Sequence, residues 1–215
     1  MQKIKGAIFD LDGVLVDTAK YHYLAWKKLA EKLGFDFSEK DNEQLKGISR
    51  KQSLEILLKI GGIKADESQK EKWAEEKNNC YVEYLKQLDK KALLEGTTEY
   101  LNRLHTEGVK ISLGSASKNA PLILSQLAIE KCFDAVIDGN CISKAKPDPE
   151  VFLQAAKALN LKPENCAVFE DSLAGIQAAK KGGMIAVGVG NKNNLPGADF
   201  YVKSLGEAER SKLFI

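Results

Sequence analysis

The stretch AIFDLDGVLVDT, residues 7–18, ends an apolar run on two aspartates, Asp10 and Asp12, with only Leu11 between them. In an extended segment, residues i and i+2 point the same way about 7 Å apart, so the two carboxylates share one side. At an effective dielectric near 20 their repulsion is on the order of 2 to 3 kcal/mol, which a bound cation or a proton removes. A plain turn is the rival reading, because Asp and Gly are common turn residues. A calcium loop of the EF-hand type fails, since Val14 and Leu15 stand where it needs an acid or Asn and then Gly.

Four further segments carry groups of the right kind. In GSASKN, residues 114–119, small hydroxyl residues, Lys118 and Asn119 precede Pro121 at a helix start, a natural phosphate cradle whose bland alternative is helix capping. KAKPDPEVF, residues 144–152, sets Lys144 and Lys146 before a proline turn, with Lys146 the better placed to point inward. VFEDSLAGIQAAKKGG, residues 168–183, ends a strand on Glu170 and Asp171; Asp171 or Ser172 caps the helix that follows, and capping explains one acid but not two. KGISRKQS, residues 46–53, gathers Lys46, Ser49 and Arg50 at a helix entrance, a second anion site or an exposed basic surface.

The elements that must position these groups follow from periodicity. Residues 19–92 read as helices, with Leu24, Leu29 and Leu33 as one stripe and Gly34 as its stop. Ser49 and Gln52 have capping-box spacing ahead of Leu54, Leu57 and Leu58, and a charged helix runs from about Glu67 to Leu88. From Leu93 onward helices alternate with the strands VKISLGS, FDAVID, CAVFED, MIAVGVG and ADFYVK. That alternation predicts a parallel sheet, joined by IKGAIF, with the helical segment inserted after this first strand. Open sheets of this class bind ligands at the carboxyl edge of their strands. Asp10, Asp12, Ser115, Ser117, Glu170 and Asp171 are therefore expected to converge on one crevice, the carboxylates gathered around a metal.

Bulk composition limits the partners. With 32 Lys plus Arg against 30 Asp plus Glu in 215 residues, no charge excess favours nucleic acid or an anionic membrane surface. No signal peptide or run of about 18 apolar residues is visible, so a cytoplasmic protein is expected. Cys80, Cys132, Cys141 and Cys166 are scattered without a CxxC, which predicts reduced thiols.

Taken together and in this order, FDLDGVLVDT, GSASKN, KAKPDPEVF and VFEDSLAGIQAAKKGG resemble the four signature segments of the haloacid dehalogenase superfamily. The resemblance implies an α/β fold, a Rossmann-like parallel sheet core over residues 1–18 and 93–215 with an inserted α-helical cap over 19–92. DTAKYHYLAWKKLAEKLG, NEQLKGISR and SASKN resemble the sugar-phosphate mutases of the superfamily, which interconvert beta-glucose 1-phosphate and glucose 6-phosphate through a bound bisphosphate. On this resemblance Asp10 is the nucleophile and Asp12 the general acid/base. Mg²⁺ is held by Asp10, the backbone carbonyl of Asp12, and Asp171, with Glu170 in or beside that shell. Ser115 and Lys146 steady the transferring phosphate, while Arg50, Ser117, Lys118 and Asn119, with Ala116 between them, hold the other. Thr18, His22, Lys46, Gly47, Ile48, Ser53 and Lys77 match positions for substrate fit and for placing Asp12. The implied partners are small phosphorylated sugars acting on a monomer, without nucleic acid or membrane.

Two rival functions remain at this point. A sugar-phosphate phosphatase would use the same Asp10 intermediate and release phosphate to water. A receiver-like switch would carry clustered acids on a parallel sheet, with Asp138 as the residue phosphorylated.

Overall fold

The computed structural model describes residues 4–45, 48–211, 213 and 214; the expectations for Lys46 and Gly47 lie outside the described residues. Six parallel strands form one sheet in the order β3-β2-β1-β4-β5-β6: β1 Gly6–Phe9, β2 Lys110–Gly114, β3 Ala135–Ile137, β4 Cys166–Glu170, β5 Ile185–Val189 and β6 Phe200–Val202. Each falls within a segment whose apolar run predicts a strand. Alternate residues feed two different cores, because successive side chains of a strand face opposite ways. Ala7, Phe9, Ala167 and Phe169 pack on one face, while Ile8 and Val168 pack on the other with Phe152 and Ile176. Phe9 and Phe169, paired in register, stack at 4.6 Å and fix β1 against β4.

Chain reversal at this pair decides where a ligand binds. From β1 the chain reaches β2 on one side and, later, β4 on the other, so the loops after β1, β2 and β4 splay apart above the carboxyl edge. The side chains that follow these three strands are Asp10, Ser115 and Asp171.

Between β1 and β2 lie the helices α1 Ala19–Lys32, α2 Glu39–Asn42, α3 Arg50–Ile60, α4 Glu67–Leu85 and α5 Thr97–Thr106. Trp26, Leu29, Leu54, Leu57 and Leu58 form a separate apolar cluster, against which Trp73 and Ala74 of α4 pack. Farther along α4, Tyr81 and Leu85 join the core beneath the sheet, so this one helix ties both clusters together. Ser49 caps α3 in a capping box with Gln52, as its spacing predicts. Helix α4 stops at Leu85, three residues before the expected end.

The expected stripe on α1 is wrong at Leu24, which is 41% exposed while Ala25, Trp26, Leu29 and Ala30 are buried. At about 100° per residue, positions nine apart lie on opposite sides of a helix, so Leu24 and Leu33 cannot share a face. The true stripe includes Trp26, and its extension reaches His22.

After β2 come α6 Ala120–Leu127, α7 Glu150–Ala158, α8 Leu173–Lys181 and α9 Leu205–Arg210. Helices α7 and α8 cover one face; α5, α6 and α9 cover the other. The four cysteines are free thiols. No helix among the described residues is long and apolar enough to cross a membrane.

Candidate active site

Asp10 leaves the end of β1 with its backbone N–H bonded to the Phe169 carbonyl at 3.0 Å, which fixes the carboxylate above the centre of the sheet. Lys146 reaches it from the loop before α7. This lysine is 0% exposed and donates to Asp10 Oδ1 and Glu170 Oε1, each at 2.5 Å. Burial pushes its ammonium down, but Asp10 and Glu170 more than offset this and hold it above its ordinary value. Lys144, by contrast, is an exposed charge 3.9 Å from Asp148. The choice of Lys146 over Lys144 is thus what the geometry gives.

Glu170 spends both oxygens on the protein: Oε1 accepts from Lys146, and Oε2 accepts from the Ser172 N–H at 2.9 Å and hydroxyl at 2.8 Å. Ser172 in turn caps α8 by accepting from the Gly175 N–H. The capping role that sequence left between Asp171 and Ser172 falls to Ser172. Gly175 must be glycine, since a Cβ there would stand 1.9 Å from the Glu170 carboxyl carbon. Gly175→Ala is expected to cost about 1 to 3 kcal/mol through overpacking, read as a lowered melting temperature, with turnover falling further because Glu170 is displaced.

Oxygens of Asp10, Glu170 and Asp171 lie within 4.8 Å of one another. Gly13, at φ +85°, lets its backbone pass where a Cβ would meet Asp171 Oδ2 at 2.2 Å. Burial drives the Asp10 carboxyl well above its usual range; Lys146 opposes this, while Glu170, Asp12 and Asp171 add to it. An all-oxygen set of crowded carboxylates with one lysine fits a hard divalent cation, which would relieve their repulsion.

Asp12 and Asp10 both line a cavity of about 780 Å³, with Leu11 buried between them. The hydroxyl of Thr18, itself fully buried, donates to Asp12 Oδ1. Burial raises the Asp12 carboxyl above its ordinary value, against the pull of the Thr18 hydrogen bond and the charges of Lys77 and Lys146.

Of the sequence-predicted residues, His22, Ile48, Arg50, Ser53, Lys77, Ala116, Ser117, Lys118, Asn119 and Asp171 line the same cavity. Thr18, Ser115, Lys146 and Glu170 do not; all four are buried, with Thr18 bonded to Asp12, Ser115 to Ser117, Lys146 to Asp10, and Glu170 within 4.8 Å of Asp10 and Asp171. In the cradle, Ser115 Oγ accepts from the Ser117 N–H at 3.1 Å, and Ser117 Oγ from the Asn119 N–H at 3.2 Å. Two backbone N–H groups of the loop are therefore used to shape it. Asn119 starts α6 without a side-chain cap and instead donates to Asn78 Oδ1 on α4 at 2.9 Å, joining the sheet edge to the helical segment.

Lys77 is 4% exposed and sits over the rings of Trp26 and Tyr81, 4.5 and 4.7 Å from their centroids. Burial, then the charge of Arg50, lowers its ammonium to about 7, with Asp12 opposing. His22 is held well below its ordinary value by burial, Lys77 and Arg50, so its ring is neutral near pH 7. His22 Nδ1 and Lys77 Nζ share a hydrogen bond at 2.9 Å, and His22 Nε2 lies 4.0 Å from Asp12 Oδ1. Sequence reasoning gives no role to Trp26, Asn78 or Tyr81. The spacing of Lys77 and Tyr81, four apart on one helix face, was the available signal.

Asp138 lies at the end of the edge strand β3, its oxygens accepting from Asn140 and Cys141. The acid cluster instead spans β1 and β4, which removes the structural basis for a switch centred on Asp138.

The sequence profile of haloacid dehalogenase-like hydrolases matches residues 4–183. The beta-phosphoglucomutase of Bacillus subtilis is 45% identical over 206 residues, covering 95% of this chain and 91% of that protein. A phosphorylated carbohydrates phosphatase of Thermotoga maritima is 33% identical over 184 residues, 84% of this chain and 82% of that protein. Among solved structures, a beta-phosphoglucomutase from Clostridium difficile superimposes with a TM-score of 0.91 at 46% identity, covering 94% of this chain and 92% of that one.

Proposed function

Because the chain belongs to the haloacid dehalogenase-like hydrolase family, we propose that it acts as a beta-phosphoglucomutase, interconverting beta-D-glucose 1-phosphate and D-glucose 6-phosphate. One observation carries this reading beyond a generic phosphatase: the cavity that holds Asp10 and Asp12 is also lined by Arg50, at the first turn of α3, and by Lys118, beside β2. A sugar bisphosphate needs one phosphate at the nucleophile while the other is gripped elsewhere, and Arg50 with Lys118 supplies that second grip. Residues 19–92 then act as a cap over a core of 1–18 and 93–215.

Asp10 attacks the phosphorus in line, breaking its bond to the sugar oxygen and forming an aspartyl phosphate. Lys146 orients the attacking carboxylate and places positive charge beside the phosphoryl oxygens; Ser115, which follows β2 and accepts from the Ser117 N–H, steadies the group with it. Asp12, its carboxyl raised by burial, delivers a proton to the departing sugar oxygen and takes one from the attacking hydroxyl. A free hydroxyl of the bound glucose phosphate then attacks the aspartyl phosphate, which breaks its bond to Asp10 and gives the bisphosphate; this turns end for end, and Asp10 takes the other phosphoryl group from it. Ser117, Lys118, Asn119 and Arg50 hold the idle phosphate. Thr18, His22, Ile48, Ser53 and Lys77 fit the sugar and set Asp12. Asp10 and Asp171, with the Asp12 carbonyl, would hold Mg²⁺, and Glu170 would stand beside them; when bound, the ion neutralises charge on the transferring phosphoryl group. Closing the cap excludes water that would hydrolyse the aspartyl phosphate.

Mg²⁺ is expected to raise the melting temperature by roughly 5 to 10 °C at saturating concentration, from about 2.7 kcal/mol of linkage and 2 to 4 °C per kcal/mol. The pH dependence has a definite sign. A buried carboxyl whose folded value is raised, as for Asp10, makes the metal-free fold less stable as pH rises. Metal binding needs the ionised acid, so the Mg²⁺ increment should be larger at pH 8 than at pH 5.5. Thermal melts with and without Mg²⁺ at both values check this; equal increments would contradict it.

The proposed activity is tested by mixing the protein with Mg²⁺, beta-glucose 1-phosphate and a trace of glucose bisphosphate, and following glucose 6-phosphate alongside free phosphate. Rapid isomer formation with little phosphate, and no reaction of the alpha anomer, is the expected result. Phosphate released in proportion to substrate consumed would instead favour a sugar-phosphate phosphatase, the activity named for the Thermotoga relative.

A further inference from the structure

Beyond Ser115, whose N–H still bonds to the Ile137 carbonyl at 3.0 Å, the loops that follow β2 and β3 run side by side. The Gly139 N–H donates to the Ser117 carbonyl at 3.2 Å, and a Cβ on Gly139 would stand 2.3 Å from the Ala116 carbonyl oxygen. Only glycine lets the two backbones approach so closely. Next to it, Asn140 divides its side-chain amide between two acceptors, Asp138 Oδ2 at 3.0 Å and the Lys118 carbonyl at 3.1 Å. Both partners accept, so it is the amide nitrogen that must face them, and a carboxylate could not take its place. Asp138, buried at the end of β3, also accepts from the Asn140 N–H at 2.8 Å and so grips this residue twice.

These contacts meet the loop at the residue that needs them most. Lys118 is exposed, and an exposed lysine has many rotamers, so it grips a phosphate well only when its backbone is held. Within the loop, hydrogen bonds tie Ser115 to Ser117 and Ser117 to Asn119; the Lys118 carbonyl is tied from outside, by Asn140. We propose that Asn140 is a positioning residue for the second phosphate, holding the backbone of Lys118 from the end of β3 so that its ammonium meets the idle phosphate of the bound sugar. This rests on the second grip assigned above to Arg50 and Lys118. Gly139 lines the cavity and Asn140 does not. The bonds of Asn140 lead to Asp138 and Lys118, away from the carboxylates around Asp10, so the transfer step itself does not depend on it. Asp138, which the mechanism leaves unused, anchors this support.

The test makes Asn140→Ala in the full chain and follows two reactions with Mg²⁺. Once Asp10 carries the phosphoryl group, the phosphate of the incoming sugar must sit in the second grip. With beta-glucose 1-phosphate and a trace of glucose bisphosphate, KM should therefore rise about fivefold, the effect of one lost hydrogen bond, while kcat stays within about twofold. Acetyl phosphate donates a phosphoryl group but has no second phosphate, so its hydrolysis should stay within about twofold of the parent. Asn140→Asp, which keeps the shape and loses both side-chain donors, should match the alanine variant. In a Lys118→Ala background, Asn140→Ala should raise KM no further. The proposal is overturned by a KM within twofold of the parent in both variants, by acetyl phosphate turnover falling in step with the sugar reaction, or by an undiminished rise in KM after Lys118→Ala. A parent that releases phosphate from beta-glucose 1-phosphate without isomerising it overturns the mutase reading instead. Glucose bisphosphate, which still presents a second phosphate, is then the substrate on which the same KM comparison is made.

Discussion

Asp10→Asn should lower turnover by at least about 10⁴-fold while leaving the fold as stable as the parent or more so. The amide occupies the same space but cannot carry a phosphoryl group through a stable acyl linkage, so the first covalent step is lost rather than slowed. Stability moves the other way because Asp10 is buried among Glu170, Asp12 and Asp171, whose charges already push its carboxyl upward. Removing one of these like charges relieves the others. The two measurements together separate a chemical loss from a folding loss: turnover near zero with an unchanged or higher melting temperature. A variant that retains a tenth of the parent's turnover would show that the nucleophile is elsewhere.

Lys146→Met is expected to damage both properties. The lysine is wholly buried and bonds two carboxylates, so the thioether leaves Asp10 and Glu170 facing each other without a counter-charge. Breaking a buried pair of this kind costs about 3 to 5 kcal/mol, a large share of the 5 to 15 kcal/mol typical of a folded chain. Melting should fall by roughly 6 to 20 °C, and turnover by at least about 10³-fold, because the attacking oxygen loses its orientation and the transferring group its nearest cation. Mg²⁺ should restore part of the stability and little of the rate. Melting within about 2 °C of the parent would contradict the structural role given to Lys146.

The floor of the candidate site was legible in the sequence because strand ends are legible. Apolar runs that stop on Asp10, on Ser115 and on Glu170 with Asp171 locate the carboxyl edge, and a parallel sheet brings such ends together whatever the helices do. Ser49 and Gln52 marked the entrance of α3, and with it Arg50, because a capping box is a local arrangement. The upper wall was harder to read. Lysines are usually solvated, and the rings that bury Lys77 come from Trp26 on another helix and from Tyr81 one turn away. The contact of Asn119 with Asn78 depends on how α4 meets α6, which neither segment's own pattern encodes. Leu24 shows the complementary error: an apolar residue was assigned to a face by type when the helical angle puts it on the other side.

The most direct measurement is to quench the protein during turnover of substrate labelled in its phosphate, digest it, and find the labelled peptide. This account predicts a transient label, stable in acid and lost in base, on the side chain of Asp10 and absent from the Asp10→Asn variant. Label on any other residue, or glucose phosphates equilibrating with no labelled protein at any time, would contradict it.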